Sequence, residues 1–384
     1  MATDGAADRR RPPPQMLSAG NNGNCVMSLS NRLRLMPNKE HKAESYEDLQ
    51  QLEFSPLLFS SLERYLPPTM LNASRDLKLQ YMRDILLRYS PESERTRVQR
   101  HREYRQKIIA QCAHYQPLQR ELYTLQAAKF FVPSFLRAIS ENTEASFRNI
   151  LSEASPGVYT FEMLQPDFCE LLLTEVENFE GWVHETNFRI MRPNTMNRYG
   201  CVLDDFGLET MLDKLMEDFI RPLSKLFFPE VGGSTLDTHH GFVVEYGSDR
   251  DVELGFHVDD SEVTLNVCLG KQFSGGDLFF RGVRCDKHVN SETQSEEIFD
   301  YTHVPGRAIL HHGRHRHGAR ATTSGHRVNL LLWCRSSVFR ELKKYQKDFS
   351  KWCGECKREK KKRQRQSIAA TKLEILKRDG QTAS

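Results

Sequence analysis

No apolar run in this chain approaches the roughly 20 residues a membrane-spanning helix needs; stretches such as residues 330–333 stop far short. The first residues are small and polar, then basic and Pro-rich from Arg9 to Pro14. They never form the apolar core of a secretory signal, so secretion is not expected. A cysteine framework is also missing. The nine cysteines are odd in number and scattered from Cys25 to Cys356, which suits thiols kept reduced in cytoplasm or nucleus rather than a disulfide-built fold. Compositional bias is absent too: 39% hydrophobic and 27% charged residues exclude a fibrous or wholly disordered chain. A length of 384 residues exceeds one minimal core, and one large domain with appendages is expected.

The small net charge of +3 hides an asymmetry. Between Arg340 and Arg378 there are fifteen Lys/Arg against five acidic residues, so this tail carries +10 and the rest of the chain −7. A basic tail on an acidic body is the pattern of a polyanion contact, a nuclear signal or a solvated helix.

Residues 1–44 are rich in Arg, Pro, Asn and Gly without a sustained apolar period, so they are expected to be disordered. Residues 45–153 read as a helical region. Asn72 or Ser74 can cap a helix through Leu77, Tyr81, Ile85 and Leu86, and Ser90-Pro91 stops it. An Arg-rich helix is expected after Pro91, followed by a piece over 118–139 broken at Pro133. Residues 158–161 read as a strand, and Pro166-Asp167 opens an amphipathic helix. Leu212, Leu215, Phe219 and Leu223 then fall on one stripe of a helix over about 208–227.

Thereafter the period changes from helical to alternating. About eight short β-branched and aromatic runs between 239 and 335 are separated by Gly, Asp and Pro, with no helices between them. This predicts an α+β fold in which a barrel or jelly roll packs on the preceding helices. The domain is expected over 154–337, with its motif core at 238–336, and 338–384 form a basic helical or disordered tail.

His257 and Asp259 stand two apart in a predicted strand, so both side chains project from one face while Val258 turns away. An imidazole and a carboxylate suit ferrous iron. Taken alone the pair says little, since fourteen histidines make about one chance His-x-Asp expected. The order of the residues downstream gives it weight. Arg327 lies ten positions after His317, with Ser324-Gly325 between them as an expected hairpin turn. Two histidines and a carboxylate occupy one face of an octahedral ion and leave positions for a bidentate 2-oxo acid and dioxygen. The Arg327 fork would match the far carboxylate of that acid. The third ligand is chosen from His311, His312, His315 and His317. His317 is preferred for its spacing to Arg327 and because it directly precedes a strand predicted at 318–323; His311 is second. The competing reading is a solvated, histidine-rich turn or a zinc-trapping cluster.

Five linked motifs now stand in order: Phe242-Val243-Val244-Glu245-Tyr246, His257-Val258-Asp259, Val263-Thr264-Leu265-Asn266-Val267-Cys268-Leu269, Phe273-Ser274-Gly275-Gly276-Asp277-Leu278, and His317-Gly318-Ala319-Arg320 with Gly325-His326-Arg327. With Arg192-Pro193-Asn194-Thr195-Met196-Asn197-Arg198-Tyr199-Gly200 upstream, the chain resembles the prolyl and lysyl hydroxylase branch of the iron(II)- and 2-oxoglutarate-dependent dioxygenases. The resemblance covers about 107–335. It implies a double-stranded β-helix (jelly-roll or cupin-like) core and oxidative decarboxylation of 2-oxoglutarate to succinate and carbon dioxide, coupled to hydroxylation of a substrate. It also implies Fe(2+) on His257, Asp259 and His317, Arg327 on the co-substrate, and L-ascorbate as the usual reductant. Tyr246 matches a position whose hydroxyl lines the 2-oxoglutarate pocket in related hydroxylases; a plain core tyrosine is the alternative. Where many prolyl hydroxylases place a tyrosine for the distal carboxylate this chain has Cys268, and Asn266, on the same face, is the candidate replacement. Gly275-Gly276 is expected to make a tight turn or bulge, and residues 192–199 to form the cavity mouth.

Three functions are compatible with these readings. A hydroxylase of an as yet unknown protein side chain comes first. A demethylase or hydroxylase of nucleic acid, contacted through the basic tail, comes second, and a silent β-barrel scaffold third. Cys353 and Cys356 have the spacing of half a zinc site; with no second pair evident, a structural thiol pair is expected.

Overall fold

Period-two alternation builds two antiparallel sheets after residue 150, and the computed structural model describes residues 33–48, 54, 56–89, 103, 116–343 and 350–381. The strands are β1 (Ser152–Ser155), β2 (Val158–Glu162), β3 (Gly200–Val202), β4 (Thr238–Gly247), β5 (Leu254–His257), β6 (Val263–Gly270), β7 (Phe273–Gly275), β8 (Leu278–Val283), β9 (Ile298–Tyr301), β10 (Arg307–His312), β11 (His315–Ala319) and β12 (Thr322–Arg335). The larger sheet runs β1-β2-β10-β6-β12-β4-β3, with β7 on the start of β12; the smaller runs β5-β11-β8-β9. Two such sheets face to face form the expected α+β double-stranded β-helix.

β6 is buried at every position, as a strand covered on both faces must be. Val263, Leu265, Val267 and Leu269 pack into the helix-facing core, whereas Asn266 reaches the cavity between the sheets. β12 repeats the logic: Val328, Leu330, Leu332 and Cys334 join the helical core, and Arg327, Asn329, Leu331 and Trp333 line the inter-sheet cavity. Phe242, Val244, Leu278 and Phe280 fill the rest of the space between the sheets.

The helices are α1 (Pro56–Glu63), α2 (Pro68–Leu71), α3 (Arg75–Tyr89), α4 (Ala127–Phe130), α5 (Pro133–Glu141), α6 (Glu144–Ile150), α7 (Pro166–Glu185), α8 (Glu209–Lys214), α9 (Arg221–Phe227), α10 (Ser337–Lys343) and α11 (Gly354–Gln381). Pro133 and Pro166 each stand at the start of their helix, where a missing N–H costs nothing. The stripe Leu212, Leu215, Phe219 and Leu223 is buried as predicted. Its helix is not uniform, however: a π-helical turn, Leu215–Ile220, joins α8 to α9. Pro222 has no N–H to donate to the carbonyl of residue 218, and the Arg221 N–H instead reaches Met216 O.

Two expectations about the ends and turns are corrected. Composition predicts disorder for residues 33–44, yet Leu33 and Asn38 are buried. The Asn38 amide donates to the Arg64 and Leu66 carbonyls, 2.9 and 3.0 Å, just past α1, and this satisfies a helix end that the sequence alone leaves open. Ser324-Gly325 is not a hairpin turn. β12 runs unbroken through it, and residues 320 and 321 only interrupt one extended run, since β11 pairs antiparallel with β8 and the start of β12 with β7. His317 accordingly lies inside β11 rather than ahead of a strand. The Arg-rich helix expected after Pro91 falls outside the described residues, apart from residue 103. No helix among the described residues is long and apolar enough to cross a membrane.

Candidate metal centre and co-substrate pocket

β5 and β11 are neighbours in the smaller sheet, and their register pairs His317 with His257. Asp259 comes just after β5, its N–H held by Gly313 O at 2.9 Å. One donor atom from each of these three side chains lies within 4.8 Å of the others: His257 Nε2 is 3.6 Å from Asp259 Oδ1, and His317 Nε2 is 3.7 Å from Asp259 Oδ2.

The neighbours of these groups decide which atoms face inward. His257 Nδ1 donates to Gly255 O at 2.7 Å and His317 Nδ1 to His315 O at 2.8 Å. Each ring therefore turns an unprotonated Nε2 towards the centre. Thr264 Oγ1 donates to Asp259 Oδ2 at 2.7 Å and lies 2.7 Å from Ser261 Oγ, while Asp259 Oδ1 is buried without a hydrogen-bond partner. Burial pushes His317 down to about 3, despite the opposing pull of Asp259, so its imidazole is neutral, as a ligand must be. Burial would raise Asp259, but the histidines around it hold it below the usual carboxylate range. His311, the runner-up, stands behind: its Nε2 is 3.9 Å from Asp259 Oδ2, and its ring packs against Phe280 and His317.

Across the cavity, β12 sets Arg327 opposite Tyr246 of β4. The arginine is 1% exposed. Its Nη1 donates to Asn329 Oδ1 and His303 Nε2, each at 3.0 Å, and the guanidinium carbon lies 4.2 Å over the Tyr246 ring. Nε and Nη2 are buried without a hydrogen-bond acceptor. Two unpaired buried N–H donors of a guanidinium fit the carboxylate of a small acid, just as two Nε2 lone pairs and an unpaired carboxylate oxygen fit a divalent metal. Gly276, at φ +76, makes the necessary space, since a Cβ there would lie 2.8 Å from Arg327 Nε.

Tyr246 lines the cavity as expected, but its hydroxyl accepts from Asn197 Nδ2 at 3.0 Å, and it is the ring that meets Arg327. Asn266 also lines it, with Oδ1 accepting from Asn329 Nδ2 at 2.6 Å. Cys268 is fully buried and pairs in register with Asn329. Residues 194, 196 and 197 do reach the cavity. Their segment is pinned by Asn197 and by His240 Nε2, which donates to Pro193 O at 2.7 Å. Asn329 and His303 escaped sequence reasoning. Asn329 was within reach of it, two positions after Arg327 on one strand face; His303 sits in an aperiodic connection and carries no such signal.

A double-stranded β-helix with two imidazoles and a carboxylate at one point, and a buried arginine across the cavity, is the arrangement of the iron- and 2-oxoglutarate-dependent oxygenases. Residues 111–233 match the family model described as an OGFOD2-like domain. The chain is 67% identical, over 90% of its length and 87% of the relative's, to 2-oxoglutarate and iron-dependent oxygenase domain-containing protein CP2 of Arabidopsis thaliana. It is 40% identical, over 59% of its length and 64% of the relative's, to 2-oxoglutarate and iron-dependent oxygenase domain-containing protein 2 of Xenopus tropicalis. A more distant similarity, 28% identity over 47% of this chain and 24% of the relative, is to the multifunctional procollagen lysine hydroxylase and glycosyltransferase LH3 of Rattus norvegicus. The chain belongs to the family of 2-oxoglutarate and iron-dependent oxygenase domain-containing proteins. It is an oxygenase that depends on iron and 2-oxoglutarate, with dioxygen as the other co-substrate.

Proposed function

We propose that His257, Asp259 and His317 hold the ferrous ion, that Arg327 binds the distal carboxylate of 2-oxoglutarate, and that the enzyme hydroxylates a protein side chain. The observation that carries the site assignment is the convergence of three donor atoms within 4.8 Å across a cavity from the two unpaired donors of Arg327. Iron and the 2-oxo acid supply oxidative decarboxylation to succinate and carbon dioxide, coupled to hydroxylation of a C–H bond. The protein's own part is positioning. Carbonyls 255 and 315 fix the two rings, and Thr264 orients the carboxylate. Burial keeps His303 neutral, so its Nε2 accepts from Arg327. Asn266 lines the pocket and holds the Asn329 amide, and Tyr246 supports the guanidinium from below.

A side chain of a protein is favoured as substrate by the likeness to a lysine hydroxylase and by the polar segment at 194–197 beside the metal centre. Ascorbate would serve as reductant, and the cytoplasm or nucleus as location. One observation favours nucleic acid instead: Lys360, Lys361, Lys362, Arg363 and Arg365 of α11 are all exposed, as a phosphate-binding face would be.

Succinate formed by anaerobically iron-loaded protein, with and without dioxygen, tests the reading beside a His257→Ala/Asp259→Ala chain. Oxygen-dependent succinate that disappears in the substituted chain is expected. Failure of the unsubstituted chain to bind either iron or 2-oxoglutarate would sink the site assignment. A one-oxygen mass gain on peptides, dependent on 2-oxoglutarate, is expected for the substrate class; the same gain or a lost methyl on oligonucleotides, with salt-sensitive binding, would replace it by the second reading.

A further inference from the structure

Outside the oxygenase pocket the described residues bring together a second set of metal-ligating side chains: Cys285, His288, Cys353 and Cys356, all buried. Cys285 lies just beyond β8, His288 closes a 3-10 turn, Asp286–His288, and Cys353 and Cys356 lie at the start of α11. In sequence they are a Cys-x-x-His pair and a Cys-x-x-Cys pair, each a compact two-ligand turn. A second pair, not evident in the sequence, thus stands beside Cys353 and Cys356. Their partners lie far upstream, and one of the two is a histidine, so a search for a second Cys-x-x-Cys passes over them.

The distances are those of ligands on one small ion. His288 Nδ1 lies 3.4 Å from Cys285 Sγ, 3.6 Å from Cys353 Sγ and 3.5 Å from Cys356 Sγ, and the Cys285 and Cys356 sulfurs are 3.8 Å apart. Zinc bonds of about 2.3 Å to sulfur and about 2.0–2.1 Å to nitrogen give tetrahedral edges of about 3.8 Å for S–S and about 3.6 Å for S–N. A disulfide would need about 2.05 Å between sulfurs. A two-iron cluster would divide the ligands between separate irons, which does not suit four donor atoms within 4.8 Å of one another. The imidazole is oriented as a ligand should be: His288 Nε2 donates to Glu359 Oε1 at 3.3 Å, leaving Nδ1 as the metal-facing atom.

We propose that Cys285, His288, Cys353 and Cys356 form a structural zinc site that fastens the N-terminal end of the basic helix α11 to the double-stranded β-helix. The site is closed, with four protein ligands and no open position, so it serves architecture rather than catalysis. Its place explains why Trp352, Cys353 and Cys356 are buried at the head of a helix that is exposed from residue 360 through 374. Arg358, bonded to Glu297 at 3.2 Å, adds a polar clasp beside it. Zinc thus decides where the cationic surface of α11 stands relative to β8, whose neighbour β11 carries His317.

The test uses the full chain carrying His257→Ala and Asp259→Ala, so that zinc cannot enter the oxygenase site, purified without a polyhistidine tag. Elemental analysis is expected to find one zinc per chain, released by a mercurial that titrates thiols. X-ray absorption at the zinc edge is expected to show three sulfur neighbours and one nitrogen. Adding Cys353→Ser and Cys356→Ser removes the zinc, and hydrogen exchange along 353–374 speeds up. Should that variant fail to fold, the absorption spectrum of the parent chain still decides. Zinc absent from a folded chain, or present with no sulfur neighbours, overturns the proposal.

Discussion

Arg327 is a charge almost wholly withdrawn from water, and it is tolerable there only because each part of the guanidinium has a partner or a task. Nη1 is used by Asn329 and His303, the face by Tyr246, and Nε and Nη2, buried without an acceptor, are the donors proposed above for the co-substrate. Arg327→Lys keeps the charge and loses the fork. The Michaelis constant for 2-oxoglutarate is expected to rise about 10- to 100-fold, while iron binding, measured by calorimetry, stays within a factor of about two. An equal loss of both affinities would mean that Arg327 supports the metal centre instead. Gly276 tests the same contact from the other side. A methyl group at φ +76, 2.8 Å from Arg327 Nε, must displace the guanidinium, so Gly276→Ala is expected to weaken 2-oxoglutarate binding about tenfold or more. Unchanged binding in a titration would show that the arginine does not sit there in solution. The metal-ligand candidates and Arg327 were legible because their order and spacing survive in one dimension. Which part of Tyr246 meets the arginine was not, because the hydroxyl is taken by Asn197, 49 positions away, and only folding brings that amide in.

Strands β4, β6 and β12 were readable as apolar runs with polar interruptions, and those interruptions, Asn266, Arg327 and Asn329, became the cavity lining. What period and turn chemistry misread was Gly325. A Ser-Gly pair between two strand-like runs has the composition of a hairpin turn, but here the glycine serves a close strand contact. At φ +68 it pairs with Phe273 of β7, and a Cβ there would stand 1.9 Å from Gln272 O. Gly325→Ala is thus expected to unpair β7 from β12 and cost about 2 kcal/mol or more in equilibrium denaturation. A loss below about 0.5 kcal/mol would put Gly325 back in an open turn. The π turn at 215–220 is a similar case. The apolar stripe continues through it, so periodicity sees one helix, while the missing N–H of Pro222 alters the hydrogen-bond ladder without disturbing the stripe.

At the scale of the molecule, α1–α3 form an apolar cluster of their own that reaches Val338 and Leu342 of α10. Glu63 sits at its edge, accepting from Tyr46 Oη, Glu44 N and Lys78 Nζ at 2.7–2.9 Å. Asp237 lies at the junction with the sheets. It is fully buried, accepts from Ser337 N and Oγ, and its pKa is pushed up to about 7, first by burial and further by nearby Glu262, against the pull of the Ser337 and Ser61 side chains. A carboxyl group whose folded pKa lies above its unfolded value binds its proton more tightly when folded. The stability it contributes is fully present below about pH 4 and falls as pH rises through 7. Asp259 and Glu297, whose values are lowered, contribute with the opposite sign, but their contribution changes almost wholly below about pH 5. The difference between the unsubstituted chain and Asp237→Asn isolates the Asp237 effect. Asn cannot ionise yet still accepts from Ser337, so its advantage over the native chain is expected to grow from pH 5 to pH 8, by up to about 3 kcal/mol, in urea denaturation measured at each pH. A difference that stays flat across that range would mean that Asp237 is already ionised at pH 5 and that solvent reaches the junction.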